Sequence, residues 1–208
     1  SVTDKQASQH RFLGSGIEGL LRIASSYSHR FDEVILSLPK GRKLQAITVS
    51  ANHRQTTIIN ATLENATLNT NGYLLRIEGS RIKNSKFTTP NIINIFKTEL
   101  TDSQVKTEGG HIYAENIKVQ GKVELDSHND LRLFLSKTEF DRINLDISSK
   151  HGGIYRKAQR EHPKQKENEL TNPYKTEKAD VKDLLIIKAN RDIYLPKEEE
   201  YSAPPRNH

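Results

Sequence analysis

Apolar residues recur between residues 44 and 155 in a short unit that is written six times. Each unit opens with an apolar anchor, and the anchors follow one another at steps of 19, 19, 18, 19 and 21 residues: Leu44, Leu63, Ile82, Leu100, Val119 and Phe140. A chain that repeats itself at a short fixed period stacks copies of one supersecondary unit. The pattern therefore predicts a repeat protein with one continuous interior.

Each unit contains two short apolar stretches that are separated by a polar break. In the second unit, Leu63 is followed by Ala66 and Leu68, and the step of two residues at its end is typical of a β-strand. Asn71 and Gly72 form the break, because both residues accept positive φ at little cost. The pattern predicts an all-β, single-domain β-solenoid or β-roll of about six to seven coils, with two or three strands in each coil.

Two other architectures share part of this pattern. The run from Ala61 to Thr70 resembles two pentapeptide-repeat coils, but its five-residue period does not continue on either side. A β-sandwich also has short strands at regular spacing, but it does not normally keep one anchor-to-anchor distance over six units. A helical repeat is disfavoured because β-branched residues dominate and no long segment keeps a period of 3.6 residues. The solenoid is favoured over all three.

The segments that flank the repeats differ from them in composition. Residues 1–16 are polar and predict a linker or the stub of an anchor, whereas two strand-like runs open the solenoid domain at 17–195. Residues 156–183 are rich in Lys, Glu, Asn and Pro, which predicts a long mobile insertion. The pattern returns in Leu184–Leu195, which we interpret as a closing coil that covers the open end of the stack. Residues 196–208 predict a disordered tail.

Composition limits the possible classes of protein. Of the 208 residues, 34% are hydrophobic and 28% charged, and the mean hydropathy is -0.72. These values suit a narrow solenoid, whose coils each bury few side chains. The absence of cysteine excludes a disulfide framework, a zinc–thiolate site and thiol catalysis. No apolar run reaches the length of a membrane span, and the absence of methionine leads us to expect a processed piece whose anchor lies upstream.

The net charge of +6 indicates attraction to anionic partners such as nucleic acid, lipid head groups or teichoic acids. Lys and Arg are spread along the chain, however, and are not clustered with aromatic residues as in nucleic-acid-binding surfaces. The charge therefore predicts solvated repeat faces and no nucleic-acid partner.

Two groups of residues are candidates for chemistry. His128 and His151 occupy equivalent turn positions, and with His111 and Asp130 they could form a surface metal or anion site, although turn histidines are more commonly just solvated. Polysaccharide-cleaving enzymes need converging carboxylates, for which the candidates are Asp102, Asp126, Asp130, Asp141 and Asp146. Their spacing offers no matched pair. We therefore predict no catalytic residue, no cofactor and no metal.

The segment Asp32–Leu44, with the sequence DEVILSLPKGRKL, resembles the opening of the bacterial adhesin-like domains of unknown function. These are toast-rack-like β-solenoids of envelope-stress operons, similar to the C-terminal domain of LiaX-type envelope-stress proteins. Their coils commonly end in Ser-Ser-Gly-Asp-Ile, and the corresponding segments here are Glu108–Ile112, Ser127–Leu131 and Lys150–Ile154. The resemblance covers residues 32–155 and the last coil, and it implies an extracellular, membrane-tethered, non-enzymatic domain.

These observations favour a non-enzymatic extracellular surface module, adhesin-like, with a role in cell-envelope binding or the envelope-stress response. Its partner would be a cell-envelope polymer or a surface protein, and it would reach the membrane only through an upstream anchor that this chain lacks. A polysaccharide-acting β-helix enzyme and a self-assembling β-solenoid scaffold are the alternatives. An enzyme needs clustered carboxylates with raised pKa values, a scaffold needs unblocked apolar terminal coils, and a binder needs a one-sided basic or aromatic face.

Overall fold

The computed structural model arranges the chain in three β-sheets. It describes residues 53–156 and 169–196, together with the backbone of four strands nearer the N terminus. Those four strands are β1 (Val2–Thr3), β2 (Leu20–Ala24), β3 (Phe31–Leu36) and β4 (Ala46–Ser50).

The remaining elements follow without long interruptions. The central strands are β5 (His53–Ile59), β6 (Thr62–Glu64), β7 (Thr67–Thr70), β8 (Leu74–Glu78), β9 (Arg81–Lys83), β10 (Lys86–Thr89), β11 (Ile92–Phe96), β12 (Glu99–Thr101), β13 (Gln104–Thr107), β14 (Ile112–Glu115), β15 (Lys118–Gln120), β16 (Lys122–Ser127) and β17 (Leu131–Phe134). They are followed by helix α1 (Lys137–Arg142) and by β18 (Asn144–Ser149), β19 (Ile154–Arg156), β20 (Glu169–Leu170), β21 (Tyr174–Lys175), β22 (Leu184–Ala189) and β23 (Ile193–Leu195).

The strands stack into coils with three sides. Sheet A has the order β1-β3-β5-β8-β11-β14-β17-β23-β19-β20, sheet B has the order β2-β4-β7-β10-β13-β16-β22-β18-β21, and sheet C has the order β15-β12-β9-β6. In the four central coils the chain passes through sheets C, B and A in turn, which confirms the all-β solenoid. Sheets A and B each contain eight parallel strands, or rungs, among the described strands, one from each coil. One of these coils, formed by β2 and β3, precedes the first predicted repeat.

The predicted anchors of the central coils face one common interior. Leu63, Ile82, Leu100 and Val119 pair in register along sheet C, and each is at most 1% exposed. Parallel rungs in register place equivalent residues above one another, so the spacing of about nineteen residues is the length of one coil. Leu44 lies outside the described residues.

Two corners of each central coil are formed by residues with positive φ. These are Asn60, Gly79, Lys97 and Asn116 between sheets A and C, and Asn65, Asn84, Asp102 and Gly121 between sheets C and B. Left-handed backbone is readily adopted by Gly and tolerated by Asn and Asp. The chemistry of the corner positions therefore matches their geometry, with Lys97 as the exception.

A small residue follows most of these corners and links neighbouring coils. The Ser80 hydroxyl accepts a hydrogen bond from the Ala61 amide (3.1 Å) and donates to a carbonyl of its own coil (2.9 Å). Thr98 repeats this arrangement one coil further along, and Ser85 and Ser103 repeat it at the other corner. These hydroxyls satisfy amides that the sheet ladders leave unpaired.

The sixth repeat begins with a helix and not with a strand. Phe140, predicted as its anchor, lies in α1 and packs partly buried against the core, so that prediction is wrong. Ser136 caps α1 by accepting a hydrogen bond from the Glu139 amide (3.1 Å), in the Ser-x-x-Glu arrangement that favours a helix start. Ile143, which is 0% exposed, is the fully buried side chain at this point of the coil.

Side chains from α1 close the edge of sheet C. The Glu139 carboxylate accepts a hydrogen bond from the Val119 amide (2.7 Å), and Arg142 donates to the Val119 carbonyl. Arg142 is held by ion pairs with Glu139 (2.6 Å) and Asp183. The two side chains make the bonds to Val119 that a further strand would have made, which protects the sheet edge.

The last coil does not lie at the end of the stack. β22 pairs in parallel with β16 on one side and with β18 on the other, and β23 lies between β17 and β19 in the same way. The prediction that Leu184–Leu195 covers the open end is therefore wrong. All rungs offer the same main-chain edges, so the pattern that identifies a coil does not reveal its place in the stack.

Part of the predicted insertion covers the end instead. β20 pairs antiparallel with β19, and β21 pairs antiparallel with β18. The prediction of a mobile insertion is therefore wrong for these strands, while residues 157–168 lie outside the described residues. Val2–Thr3 pairs antiparallel with β3, which corrects the linker prediction for those two residues. The remainder of residues 1–16, and residues 197–208 of the predicted tail, also lie outside the described part.

Among the described residues, no helix has the length and apolar character that crossing a membrane requires.

Candidate ligand-binding face

Aromatic side chains gather on the outer face of sheet A. Alternate residues of a strand point to opposite faces, so the apolar residues of each sheet A strand enter the core while their neighbours point outward. Among the residues whose side chains the structure describes, five outward residues are aromatic, and we call them the aromatic row: Phe96, Tyr113, Phe134, Tyr155 and Tyr194.

The rings of the aromatic row form two groups, and within each group rings from different coils contact one another. The ring centroids of Phe96 and Tyr113 lie 5.6 Å apart, and those of Tyr113 and Phe134 lie 5.5 Å apart, both pairs tilted. Tyr155 and Tyr194 stack at 5.9 Å. Phe96, Tyr113 and Phe134 are only half-buried, so this part of the row offers ring surface to a ligand.

Two arginines extend the aromatic row. The Arg76 guanidinium lies 5.1 Å from the centroid of the Phe96 ring, and that of Arg132 lies 5.5 Å from the Tyr194 ring. A cation over an aromatic ring is held by the quadrupole of the ring. Arg76 also binds Glu78 (2.7 Å), whereas Arg132 is exposed and has donors that face solvent.

An open groove of about 520 Å³ runs across the middle of this face and is lined by Asn94, Phe96, His111, Tyr113, Asp130 and Arg132. It combines ring surface with an amide, an imidazole, a carboxylate and a guanidinium. Polar groups placed beside ring surface can fix the orientation of a small or extended ligand.

The tyrosine hydroxyls of the face are hydrogen-bond donors. Tyr113 donates to Glu115 (2.8 Å), and Tyr194 donates to Asp192 (3.2 Å). Burial raises the pKa of Tyr194 to about 12, and the Asp192 carboxylate adds to the effect. The pKa of Tyr155 is also raised, chiefly by burial. Both groups therefore keep their protons at neutral pH and are unsuited to act as bases.

The outer faces of the other two sheets are built differently. On sheet B, ion pairs join Lys188 to Glu124 (2.8 Å) and Lys106 to Asp126 (3.5 Å) across neighbouring strands. On sheet C, Arg81 lies 3.9 Å from Glu99, and Lys83 lies 3.9 Å from Glu64. Alternating charges of this kind give solvated surfaces that contribute little to stability. Among the described residues, the aromatic ring contacts between neighbouring coils lie on the face of sheet A.

The structure separates the two histidines that the sequence places together. The C-terminal strands lie between their coils, since Ala189 pairs with Ser127 on one side and with Ser149 on the other. The coils that carry His128 and His151 are thus two strand spacings apart, about 10 Å, and the two residues are offset by one position in the register. His111 and Asp130 do meet, because both line the groove of sheet A. In the described parts of the chain, no group of three His, Asp or Glu residues is arranged to hold a metal ion.

The aspartates considered for catalysis are distributed over different surfaces. Asp126 and Asp146 lie on sheet B, where they pair with Lys106 and with Lys175 (3.0 Å). Strand β22 separates them. Neither is placed to work with the other on one glycosidic bond.

The other three aspartates lie elsewhere. Asp102 forms a coil corner, Asp130 lines the sheet A groove and Asp141 lies on α1. The hydrogen bond from Lys137 (2.8 Å) is the main cause that lowers the pKa of Asp141. A general acid for glycoside cleavage needs a raised pKa, so Asp141 is unsuited to that role.

The aromatic row is the feature that the sequence analysis missed. Its signal is the pair Ile-Tyr, which recurs at residues 112–113, 154–155 and 193–194. In a strand with an inward Ile, the following Tyr must face outward. Aligning the second strand of each coil would therefore have placed the three tyrosines on one surface.

Comparisons with known proteins agree with this architecture. No curated protein and no solved structure matches the sequence significantly. The model of one family, described as Toastrack DUF4097, matches residues 1–195. Because this match covers nearly the whole chain and the fold is a β-solenoid, the chain belongs to the Toastrack family of domains of unknown function.

Proposed function

We propose that this domain is a non-enzymatic, adhesin-like binding module of the cell surface that holds a cell-envelope polysaccharide on the outer face of sheet A. The observation that carries the proposal is the aromatic row with its groove. Sugar rings present apolar C–H faces and many hydroxyls. Tyrosine suits such a ligand because it joins a flat apolar surface to a hydrogen-bonding tip.

The charges on this face favour a neutral glycan over an anionic polymer. Among the described residues of this face, two cationic side chains, Arg76 and Arg132, are accompanied by four carboxylates: Glu78, Glu115, Asp130 and Asp192. An anionic chain such as teichoic acid would be repelled. A neutral polysaccharide finds both donors and acceptors here. The positive net charge of the protein therefore does not identify the ligand of this surface.

Two features support binding over the alternative functions. The described aspartates do not converge in a groove, which speaks against a polysaccharide-cleaving enzyme. At the far end of the stack, β20 and β21 pair antiparallel and occupy the edges on which a further parallel coil would form. Such covered edges disfavour an end-to-end scaffold.

Cosedimentation with purified peptidoglycan sacculi tests the proposal. We expect Tyr113→Ala and Arg132→Ala to weaken binding by about 3- to 10-fold, as the loss of a ring or cation contact predicts. Tyr113→Phe keeps the ring and should retain most of the binding. Lys106→Ala removes a cation from sheet B and is the matched control, with wild-type binding expected.

Soluble N-acetylglucosamine oligomers and purified teichoic acid identify the ligand class in the same assay. The oligomers should compete with sacculi, while teichoic acid should compete poorly. Equal binding by wild type, Tyr113→Ala and Lys106→Ala would refute the sheet A face as the binding surface. Urea denaturation of each variant confirms that it is folded.

A further inference from the structure

The segment Leu184–Leu195, which we call the C-terminal coil, fills a slot between two coils that precede it in sequence. The slot is the space between β16–β17 and β18–β19. All six residues of β22 pair in register with both walls, from Leu184 to Ala189. β23 also contacts both walls through main-chain pairs.

Main-chain bonds and buried apolar side chains hold the C-terminal coil. The Leu184 amide donates to the Gly121 carbonyl (2.8 Å) on one wall, and the Ile193 amide donates to the Gly153 carbonyl (2.9 Å) on the other. Leu185 and Ile187 are 0% exposed. Without this coil, both walls would have open strand edges and an uncovered core. Open strand edges readily accept another strand.

We propose that the slot is a strand-acceptor site whose intermolecular partner is a second copy of this protein, which inserts its own C-terminal coil. The residues that recognise the coil are its main chain, its alternating apolar side chains and the Lys188–Glu124 ion pair (2.8 Å). Another copy supplies the same groups in the same register. Addition of a strand through main-chain bonds is a recurrent mode of recognition.

The order of the rungs makes this coil the one suited to exchange. The central coils follow one another through short corners, so each is tied to a sequence neighbour above or below it. Both neighbours of the C-terminal coil are distant in sequence, and residues 176–183 join it to β21. Exchange preserves every contact within the slot, so the concentration of the protein decides between closed monomer and exchanged dimer.

Cysteine cross-linking tests the exchange cleanly, because the chain has no cysteine of its own. Ser148 and Lys188 are register partners across β18 and β22, on the outer face of sheet B. S148C and K188C, made as separate full-length proteins, are mixed, unfolded in urea and refolded together under oxidising conditions. Exchange places one cysteine of each chain at disulfide distance. We expect a disulfide-linked heterodimer whose yield rises with protein concentration.

A second pair and a control complete the experiment. D126C with K188C reports the other wall of the slot, and it should cross-link as well. T88C with K106C joins register partners of β10 and β13, two strands that a short connection ties together, and is the matched control. Heterodimer several-fold above this control at both walls supports the proposal. A yield at control level at either wall overturns it. Circular dichroism of each single variant shows that it folds.

Discussion

Replacing Glu139 by alanine should destabilise the domain by about 1–4 kcal/mol. Glu139 is 8% exposed, and its carboxylate accepts the Val119 amide at 2.7 Å. Alanine leaves that amide without an acceptor at the edge of sheet C, and an unsatisfied buried donor costs about 1–3 kcal/mol. Arg142 also loses one of its two carboxylate partners, and its side chain is 40% exposed. At such exposure the ion pair contributes about 0.2–1 kcal/mol.

Urea denaturation of the variants measures this effect, and hydrogen exchange of the Val119 amide locates it. Glu139→Gln keeps an acceptor oxygen without the charge and should lose only about 1 kcal/mol. Lys137→Ala breaks an exposed ion pair on the same helix (2.8 Å to Asp141) and is the control. It should change stability by less than about 0.5 kcal/mol. If Glu139→Ala behaves like Lys137→Ala and the Val119 amide stays protected, α1 does not close the sheet edge.

Three further predictions concern the corners, the aromatic row and the core. Gly121 has φ +62, and an added Cβ would lie 2.1 Å from the Asp102 carboxylate, so Gly121→Ala should lower the midpoint of urea denaturation. Lys97 has φ 47, which glycine adopts more readily than lysine, so Lys97→Gly should raise the midpoint. Shifts of the opposite sign would contradict the corner geometry. The folded-state pKa of Tyr194 is about 12 and the unfolded value is about 10. The native state therefore holds a proton that the unfolded state has lost, and stability should fall as pH rises from about 10 to 12. Tyr194→Phe should flatten this slope, and an unchanged slope would disprove the assignment. Phe87 is 0% exposed, and Phe87→Ala should cost about 3–5 kcal/mol in urea denaturation, whereas a loss below about 1 kcal/mol would mean that the core collapses around the site.

The sequence predicted the repeating part of the molecule because one physical rule governs each coil there. Leu63, Ile82, Leu100 and Val119 recur at one coil length and stack in sheet C. Phe140 fits the apolar pattern but lies in a helix. Its step of 21 residues is the longest of the series, and the Ser-x-x-Glu capping sequence just before it was the signal for a helix.

The order of the coils and the candidate ligand-binding face were harder to predict for different reasons. Hydrophobic alternation identifies Leu184–Leu195 as a coil, but main-chain edges are alike in all rungs, so its neighbours depend on long-range assembly. The candidate face depends on which outward residues meet between coils. Tyr113 and Phe134 are outward residues 21 positions apart, and their contact at 5.5 Å appears only when the rungs are in register.

The corner hydroxyls have a consequence for how proteins of this kind can change in evolution. Ser80 bonds to the coil on one side through the Ala61 amide, and its own amide bonds to Thr98 on the other. Each of these hydrogen-bonded links involves only three consecutive coils. In-frame duplication or deletion of one coil would therefore leave the links between the other coils intact. The cross-section would stay constant while the length of the sheet A surface changed by one strand spacing. The length of the outer surface that such a protein presents would then be set by gene duplication, without redesign of the coil.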